Sequence, residues 1–459
     1  MPTGSSETNA DQTSQDKLHK KFTWKELSAL NKPENVHVAY KGKVYDVSGF
    51  VLSHPGGIDQ IMIGAGHDIT QLFNTYHQPK ILKVLEKYYV GELIDNEMPV
   101  YAEDKTQFYP TLKKRVKEKL NSLNIDPKFD YRMFALYLMV FITWWGSLYG
   151  MLKWWAESWL LSIASTVVLG WISACVIFLI GHDVSHFAVT HSPWVWRAVR
   201  IVGQVTSGLS MYCWTYQHIF GHHSYTSVDG VDPDVYTTDH NDVYRLKERQ
   251  KWIRTFRLQY IYMPVLYSLL TMKMKIQDCF DVVTLRKGPI SMNPLSTFQI
   301  IEFIVIKLLH VVLLIFVPLM YMSFSSMVML HLLYELVYGF ILAIIININH
   351  VNTDLHEMIK PEEAKDIKWA EYQVLTTKDY DTDSLLCTLL TGALNHQVAH
   401  HLFPDVLQSY YPIITPIVRD TCKEFGIQYN CEASLPKALW EHLKYLFRMG
   451  QEPTQLKVQ

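Results

Sequence analysis

Four long apolar runs constrain this chain more than any motif does. They cover about 134–152, 159–180, 300–322 and 327–348, and a helix needs about 20 apolar residues to cross a bilayer. Hydrocarbon offers no partner to an open backbone, so runs of this kind are expected as helices. They come in two pairs. The link within each pair, Lys153–Glu157 and Ser323–Ser326, is short and nearly uncharged. The other flanks are basic: Lys113, Lys114, Arg115, Lys117 and Lys119 precede the first run, Arg197 and Arg200 follow the second, and more basic residues lie between Arg245 and Arg257. The positive-inside rule then puts both termini and the long central segment in the cytosol, with two hairpins entering the membrane from that side. Trp194–Trp214 is amphipathic with two arginines, and Tyr260–Met272 is aromatic and short. Both read as interfacial or partly inserted helices.

The remaining polarity is unevenly spread. A mean hydropathy of +0.02 conceals a charged, mixed first 130 residues. Residues 1–20 are rich in Ser, Thr, Asn, Gln and Asp and read as a disordered lead-in without the apolar core of a signal peptide. A net charge of −2 gives no pull toward nucleic acid. The six cysteines show no CxxC spacing, which argues against a zinc or disulfide framework and fits a reducing compartment.

Histidines cluster where the hairpins return to the cytosol. The second run ends at His182 and His186, and the fourth at His350. Between the pairs lie His218, His222 and His223, and beyond them Gln397, His400 and His401. Residues four apart share a helix face, so His182 with His186, and His218 with His222, can each reach one metal region. The adjacent pairs His222–His223 and His400–His401 point about 100° apart, so each can serve two ions. Topology brings all of these to one membrane face. Eight imidazoles, with Gln397 offering an oxygen or holding a water, suit two ions of four to five ligands each. Packing is a poor explanation, because every buried histidine needs a partner.

Other polar residues in the apolar regions carry structural readings. His310 and His331 are expected as core or interhelical hydrogen-bonders, and His191 is a residue beside the first cluster rather than in it. His396 adjoins the third cluster without a clear direction. Glu335 lies about 22 Å along its helix from His350, too far for a ligand, and is expected to pair with Lys307 on the neighbouring span.

The N-terminal region forms a separate unit. His54-Pro55-Gly56-Gly57 follows the strand-like Lys43–Val47, and His77 follows Asp68–Phe73. With Trp24, the Gly64–Asp68 turn and Tyr89-Val90-Gly91, about 75 residues resemble the cytochrome b5 family. That resemblance implies an α+β domain holding haem b between His54 and His77, with one-electron transfer as its role. His67 stands where the family usually has a solvent-facing residue and has no assigned role. A neighbouring haem also selects the ion at the histidine clusters: imidazole suits several metals, but zinc has no redox chemistry, so two irons are expected.

The segment Gly392-Ala393-Leu394-Asn395-His396-Gln397-Val398-Ala399-His400-His401-Leu402-Phe403-Pro404, together with the other clusters and the fused haem domain, resembles the membrane fatty acyl desaturases of the front-end group, which carry glutamine where others have the first histidine of the third box. The resemblance covers the chain from about residue 20. His396 departs from it, an aromatic being usual there. It implies a di-iron centre on His182, His186, His218, His222, His223, His350, Gln397, His400 and His401, with no catalytic side chain beyond the ligands. It implies O2-dependent insertion of a cis double bond between an existing double bond and the carboxyl end of a polyunsaturated chain, as a lipid or CoA ester. The delta-5 type on C20 substrates is the first choice; delta-6 and sphingolipid long-chain-base delta-8 desaturation are alternatives. Electrons are expected from NADH-cytochrome b5 reductase, and the location is the endoplasmic reticulum membrane. The expected domains are a lead-in (1–20), a cytochrome b5-like domain (21–95), a linker with an amphipathic helix (96–130), an all-α membrane domain with four transmembrane helices in two hairpins (131–445) and a tail (446–459).

Overall fold

The computed structural model describes residues 20–237 and 242–453; the lead-in over 1–19 and the end of the tail, 454–459, lie outside the described residues. The chain divides into two compact units, Met1–Glu97 and Met98–Gln459.

The first unit is α+β. Strands β1 (Lys20–Phe22), β2 (Asn31–Lys32), β3 (Asn35–Tyr40), β4 (Lys43–Asp46) and β5 (Tyr89–Leu93) form one sheet in the order β1-β5-β4-β3-β2. The turn between β3 and β4 is Lys41-Gly42, both at positive φ (50° and 76°), as a two-residue hairpin of this twist requires. Gly91 lets β1 pair in parallel with β5, because a Cβ there would strike the Lys20 carbonyl. Short helices, among them Ile58–Ile63 and Thr70–Tyr76, cover a core of Val36, Val38, Tyr45, Val51 and Phe73. His54 and His77 sit at the C-terminal ends of Ser48–Ser53 and Thr70–Tyr76. His67, left without a role by its sequence, is not solvent-facing as residues at this place in the family usually are. It is 3% exposed beneath Trp24, with ring centres 5.9 Å apart, and burial pushes its imidazole down to about 4.

The second unit is mostly helical. Its four long apolar helices are Tyr131–Trp154, Trp159–Ser185, Thr297–Leu319 and Phe324–Asn347, matching the four apolar runs. Side chains mark their starts: Asp130, Ser296 and Ser323 each accept a hydrogen bond from a first-turn amide. The second span is the hub, packed on the first and the fourth. Gly170 makes the second contact possible, since a Cβ there would lie 2.8 Å from the Tyr334 carbonyl. Trp144 donates to Ser173 Oγ at 2.9 Å across the first pair. The third span is largely bare on its outer surface, as lipid contact allows, with Ile301, Ile304 and Leu308 about half exposed.

Neither ambiguous stretch forms a span. Trp194–Trp214 becomes helix Pro193–Ser207 and the start of another at Met211, while Tyr260–Met272 is divided between Gln259–Tyr267 and Leu270–Thr284. Helix Phe108–Ser122, within the stretch 96–130, is packed into the second unit: Phe108, Leu112 and Val116 are buried, Tyr109 donates to the Leu402 carbonyl at 2.8 Å, and Arg115 meets Glu424 at 2.7 Å. The last helix, Leu435–Gly450, continues past residue 445.

Glu335 has a different partner from the one expected. Lys275 reaches it at 2.5 Å and Thr271 at 2.9 Å, whereas Lys307 bonds Asp278 at 2.7 Å. The reason is that helix Leu270–Thr284 lies against both spans and supplies the nearer charges. Breaking a buried pair leaves an uncompensated charge at a cost of about 3–5 kcal/mol, whereas replacing both partners by apolar groups is often neutral. Glu335→Leu is therefore expected to lower the unfolding temperature of the purified protein clearly, and Glu335→Leu with Lys275→Met to recover most of that loss.

Candidate metal centres

In the first unit the pocket suits a haem with two axial imidazoles. A nitrogen ligand binds at about 2.0 Å and the ring centre lies about 1.1 Å further, so two imidazoles that would hold one metal ion between them have centres about 6.2 Å apart. The His54 and His77 ring centres are 6.2 Å apart. His54 Nδ1 bonds the Gly57 carbonyl at 3.3 Å, which turns Nε2 toward the pocket. Burial holds its imidazole below the usual range, hence neutral. Phe73 stacks on His77 at 4.6 Å. Two glycines make the turn: Gly57 has φ +89°, and a Cβ on Gly56 would crowd Gln60 and the His54 ring.

In the second unit, all nine residues singled out from sequence converge in one buried chamber. His182, His186, His218 and His400 offer ligand atoms within 4.8 Å of one another, and so do His222, His350 and His401. His223 lies between these sets: its Nε2 is 3.3 Å from that of His218, and it also groups with His400 and His401. Nitrogen meets nitrogen throughout. The Nε2–Nε2 distances are 3.0 Å for His182–His400, 3.3 Å for His222–His350 and 3.2 Å for His350–His401. Ligands about 2.1 Å from one ion and at right angles to each other lie about 3.0 Å apart. The chamber thus has the spacing of two imidazole-rich ion sites. Gln397 Nε2 lies 3.2 Å from His350 Nε2, and its Oε1 has no hydrogen-bond partner. Turning the isosteric amide brings the oxygen, which can ligate or hold a water, toward the second set.

Two π-helical segments set this arrangement. Val176–Gly181 precedes His182, and Thr215–His222 carries the second cluster. The His223 amide donates to the His218 carbonyl, five residues back. That wider turn brings His218 and His223 together, while the Nε2 of His222 faces His350 instead. His218 and His222 do share a region, as a spacing of four implies: their rings stack at 5.5 Å and with Asp234 they offer ligand atoms within 4.8 Å of one another, while their Nε2 atoms meet His223 and His350 respectively. Such π segments occur preferentially at functional sites.

The far ring nitrogens are held by groups the sequence reading did not single out. Asp232 accepts from His222 Nδ1 at 3.0 Å, Gln373 Oε1 from His401 Nδ1 at 2.7 Å, and Tyr411 OH lies 3.1 Å from His400 Nδ1. These contacts fix ring orientation and leave Nε2 free. Asp232-Pro233-Asp234, nine residues beyond the second cluster, is a visible but unspecific signal. Burial, reinforced by neighbouring imidazoles, holds His186, His223, His400 and His401 well below the usual imidazole range, and His350 likewise, so each is neutral with a lone pair to give. His222 is the exception. Burial would lower it, but the carboxylates of Asp232 and Asp234 outweigh burial and lift it to about 9. A cation at Nε2 would take the place of that second proton, leaving Nδ1–H on Asp232.

Four other histidines of the second unit stay out of both sets. His396 bonds Thr415 at 2.9 Å and Thr388 at 3.3 Å, His191 meets Asp126 at the surface at 2.9 Å, and His310 bonds the Val205 carbonyl at 2.9 Å. His331 lies 3.8 Å from Glu335.

A buried imidazole chamber at the ends of apolar helices long enough to cross a membrane, in a chain whose first unit has two histidines spaced to hold a haem, fits a membrane oxidoreductase. The pattern of the family described as "Fatty acid desaturase" matches residues 157–433, and that of "Cytochrome b5-like Heme/Steroid binding domain" matches residues 23–94. The chain is 37% identical to the "Acyl-lipid (8-3)-desaturase" of Mortierella alpina, over 95% of this chain and 98% of that one. It is 34% identical to the "Acyl-lipid (8-3)-desaturase B" of Dictyostelium discoideum, over 98% of both chains. Identity to the "Delta(5) fatty acid desaturase A" of the same organism is also 34%, over 95% of this chain and 96% of that one. The chain belongs to the fatty acid desaturase family, in its front-end group. Its haem domain implies electron transfer, its substrate is a lipid, and the histidine chamber fits a di-iron centre.

Residues that only orient a ligand are expected to matter less than the ligands but still measurably. Asp232→Asn should reduce iron retention or turnover about 10–100-fold. His396→Phe, which touches neither set, should leave the iron content per protein unchanged by elemental analysis.

Proposed function

We propose that this protein is a delta-5 front-end desaturase acting on C20 polyunsaturated acyl chains, with its own haem domain as the immediate electron donor. The observation that carries the reading is the likeness over nearly the whole chain to relatives named (8-3) and Delta(5) desaturases. The ligand assignment is part of the proposal. His182, His186, His218, His223 and His400 hold one ion; His222, His350 and His401 hold the other, with Gln397 completing that set directly or through a water. When bound, the iron pair supplies the oxidising power needed to take hydrogen from two unactivated methylenes.

The chain's own residues supply confinement and placement. The chamber is buried, so water is kept from the reacting carbons. A narrow cavity lies beside it, with Ile177, Leu209, Met211, Trp214 and Met274 as its apolar wall and Ser210, Gln217, Asp278 and Lys287 as its polar lining, and Trp214 stacks on His218 at 4.7 Å. An acyl chain threaded along that wall would be positioned by depth alone, since methylenes offer nothing to hydrogen-bond. Asp232, Gln373 and Tyr411 keep the imidazole rings from turning. In the cell, the basic flanks favour cytosolic termini, the location is the endoplasmic reticulum membrane, and NADH-cytochrome b5 reductase is the electron source.

Expression in a desaturase-poor host fed C18 and C20 precursors separately tests the regiochemistry. A new double bond at carbon 5 of the C20 acid is expected. A bond at carbon 6 of a C18 acid, or new unsaturation confined to long-chain bases, would replace this reading. His54→Ala is expected to abolish the haem absorption band and NADH-driven product while leaving iron bound to the membrane domain; retained NADH-driven turnover would remove the haem domain from the electron path.

A further inference from the structure

Helix Leu270–Thr284 is inside out. Its buried face carries Thr271, Asp278 and Asp281, while Ile276, Phe280 and Val283 on the opposite face are 60, 62 and 82% exposed, with Lys273 an exposed charge beside them. A helix lying against water shows the reverse pattern. The inward polar groups are engaged with charges on neighbouring elements: Thr271 and Lys275 with Glu335, Asp278 with Lys307, and Asp281 with Lys287 at 2.7 Å. Inward-facing, paired charges and an outward face that is apolar except at Lys273 are the pattern of a membrane-embedded helix.

The contacts also give its depth. Glu335 lies eleven residues after Phe324 and twelve before Asn347, the ends of the fourth span, so at 1.5 Å per residue it is about 17 Å from either end, near the middle of a bilayer core of about 30 Å. Ser268, at the turn into the helix, abuts Gly339, one helical turn nearer the histidine chamber, and Thr271 and Lys275 reach Glu335 itself. The preceding helix, Gln259–Tyr267, begins where Gln259 bonds the Leu446 carbonyl on the C-terminal helix. After the deep point the chain returns, and Ile290 packs against Gly221 between His218 and His222. The turn is satisfied within itself, with the Ser268, Leu269 and Lys273 amides donating to Val265, Leu266 and Leu269 carbonyls, as hydrocarbon demands.

We infer that Gln259–Thr284 is a re-entrant helical hairpin. It dips to mid-bilayer from the histidine side and returns, with Val265, Leu269, Ile276, Phe280 and Val283 against lipid acyl chains. Its lipid face continues the exposed apolar surface of the third span, where Ile300, Ile304 and Leu308 are 42, 49 and 58% exposed. The ion pairs are the inner seam: Lys275–Glu335 pins the hairpin to the fourth span and Asp278–Lys307 to the third. The helix Met211–Trp214 is tied to the same seam, because the Ser210 amide donates to Asp278 at 2.8 Å. The hairpin therefore lies between lipid and the segment that carries the second histidine cluster. This inference needs only that the protein is membrane-bound and is independent of the regiochemistry proposed above.

The test places the photoreactive residue benzoylphenylalanine at Leu269, near the turn, or at Val283, near the return, in the full-length chain in phosphatidylcholine nanodiscs. Leu138 on the first span and Lys365 serve as lipid-facing and water-facing references. Illumination is expected to yield lipid adducts at both hairpin positions. Fragmentation should locate the attachment nearer the acyl methyl end at Leu269 than at Val283. If either variant loses its native gel-filtration profile, Ile276 and Thr284 form a second deep and shallow pair on the same face. Absence of lipid adducts where Leu138 gives them, adducts to a second copy of the chain, or the same attachment range at deep and shallow positions would each overturn the proposal. The last would mean a hairpin lying flat at the interface.

Discussion

Everything in the membrane unit is arranged around imidazole nitrogens held face to face. Neutral ring nitrogens about 3 Å apart, as in His182–His400 and His350–His401, gain little from one another, since a single proton bridges only one pair. Burial makes the arrangement costly without a shared cation, and the same burial keeps the rings neutral and ready to bind one. Four separated stretches of chain must be brought to one point to achieve this. The two membrane hairpins do so by ending at His182 and His350, and the outer helices supply the rest.

The position of each ring depends on restraint at its far nitrogen. Asp232, Gln373 and Tyr411 come from three different elements, so the chamber is braced from several directions. Asp232 differs from the others in carrying charge. Two carboxylates near one imidazole raise its affinity for a proton, and they would favour a cation at Nε2 for the same electrostatic reason. The polar seam along Lys275, Glu335, Asp278 and Lys307 is a second braced region, and it shares Ser210 with the approach to the second cluster.

Much of this was legible in the sequence. Four apolar runs of sufficient length gave four helices, because hydrocarbon permits little else. The HPGG turn and a second histidine indicated the haem fold, and clusters ending at span termini indicated convergence. The rest was hidden for identifiable reasons. The partner of Glu335 differs from the span-to-span pairing its position suggests, because an intervening helix carries the nearer Lys275. His67 stands where the family usually has a solvent-facing residue, and only the fold shows it buried under Trp24. The pairing of His218 with His223 could not follow from a spacing of four, since ordinary helix periodicity does not foresee a wider turn. Asp232 and Gln373 are ordinary residues until the fold brings them to a ring nitrogen.

The wider turn at Thr215–His222 has a consequence for how such a chain can vary. A π-turn is one residue more than an α-helix needs over the same path. The segment is therefore constrained in length as well as in composition. Losing a single residue there would restore regular α geometry and swing the following histidine about 100° around the axis, moving a ring from one ion's set toward the other's without changing any ligand's identity. Substitutions along this stretch can be gradual in effect, but a one-residue insertion or deletion acts as a phase error, and that makes the spacing itself a heritable part of the active site.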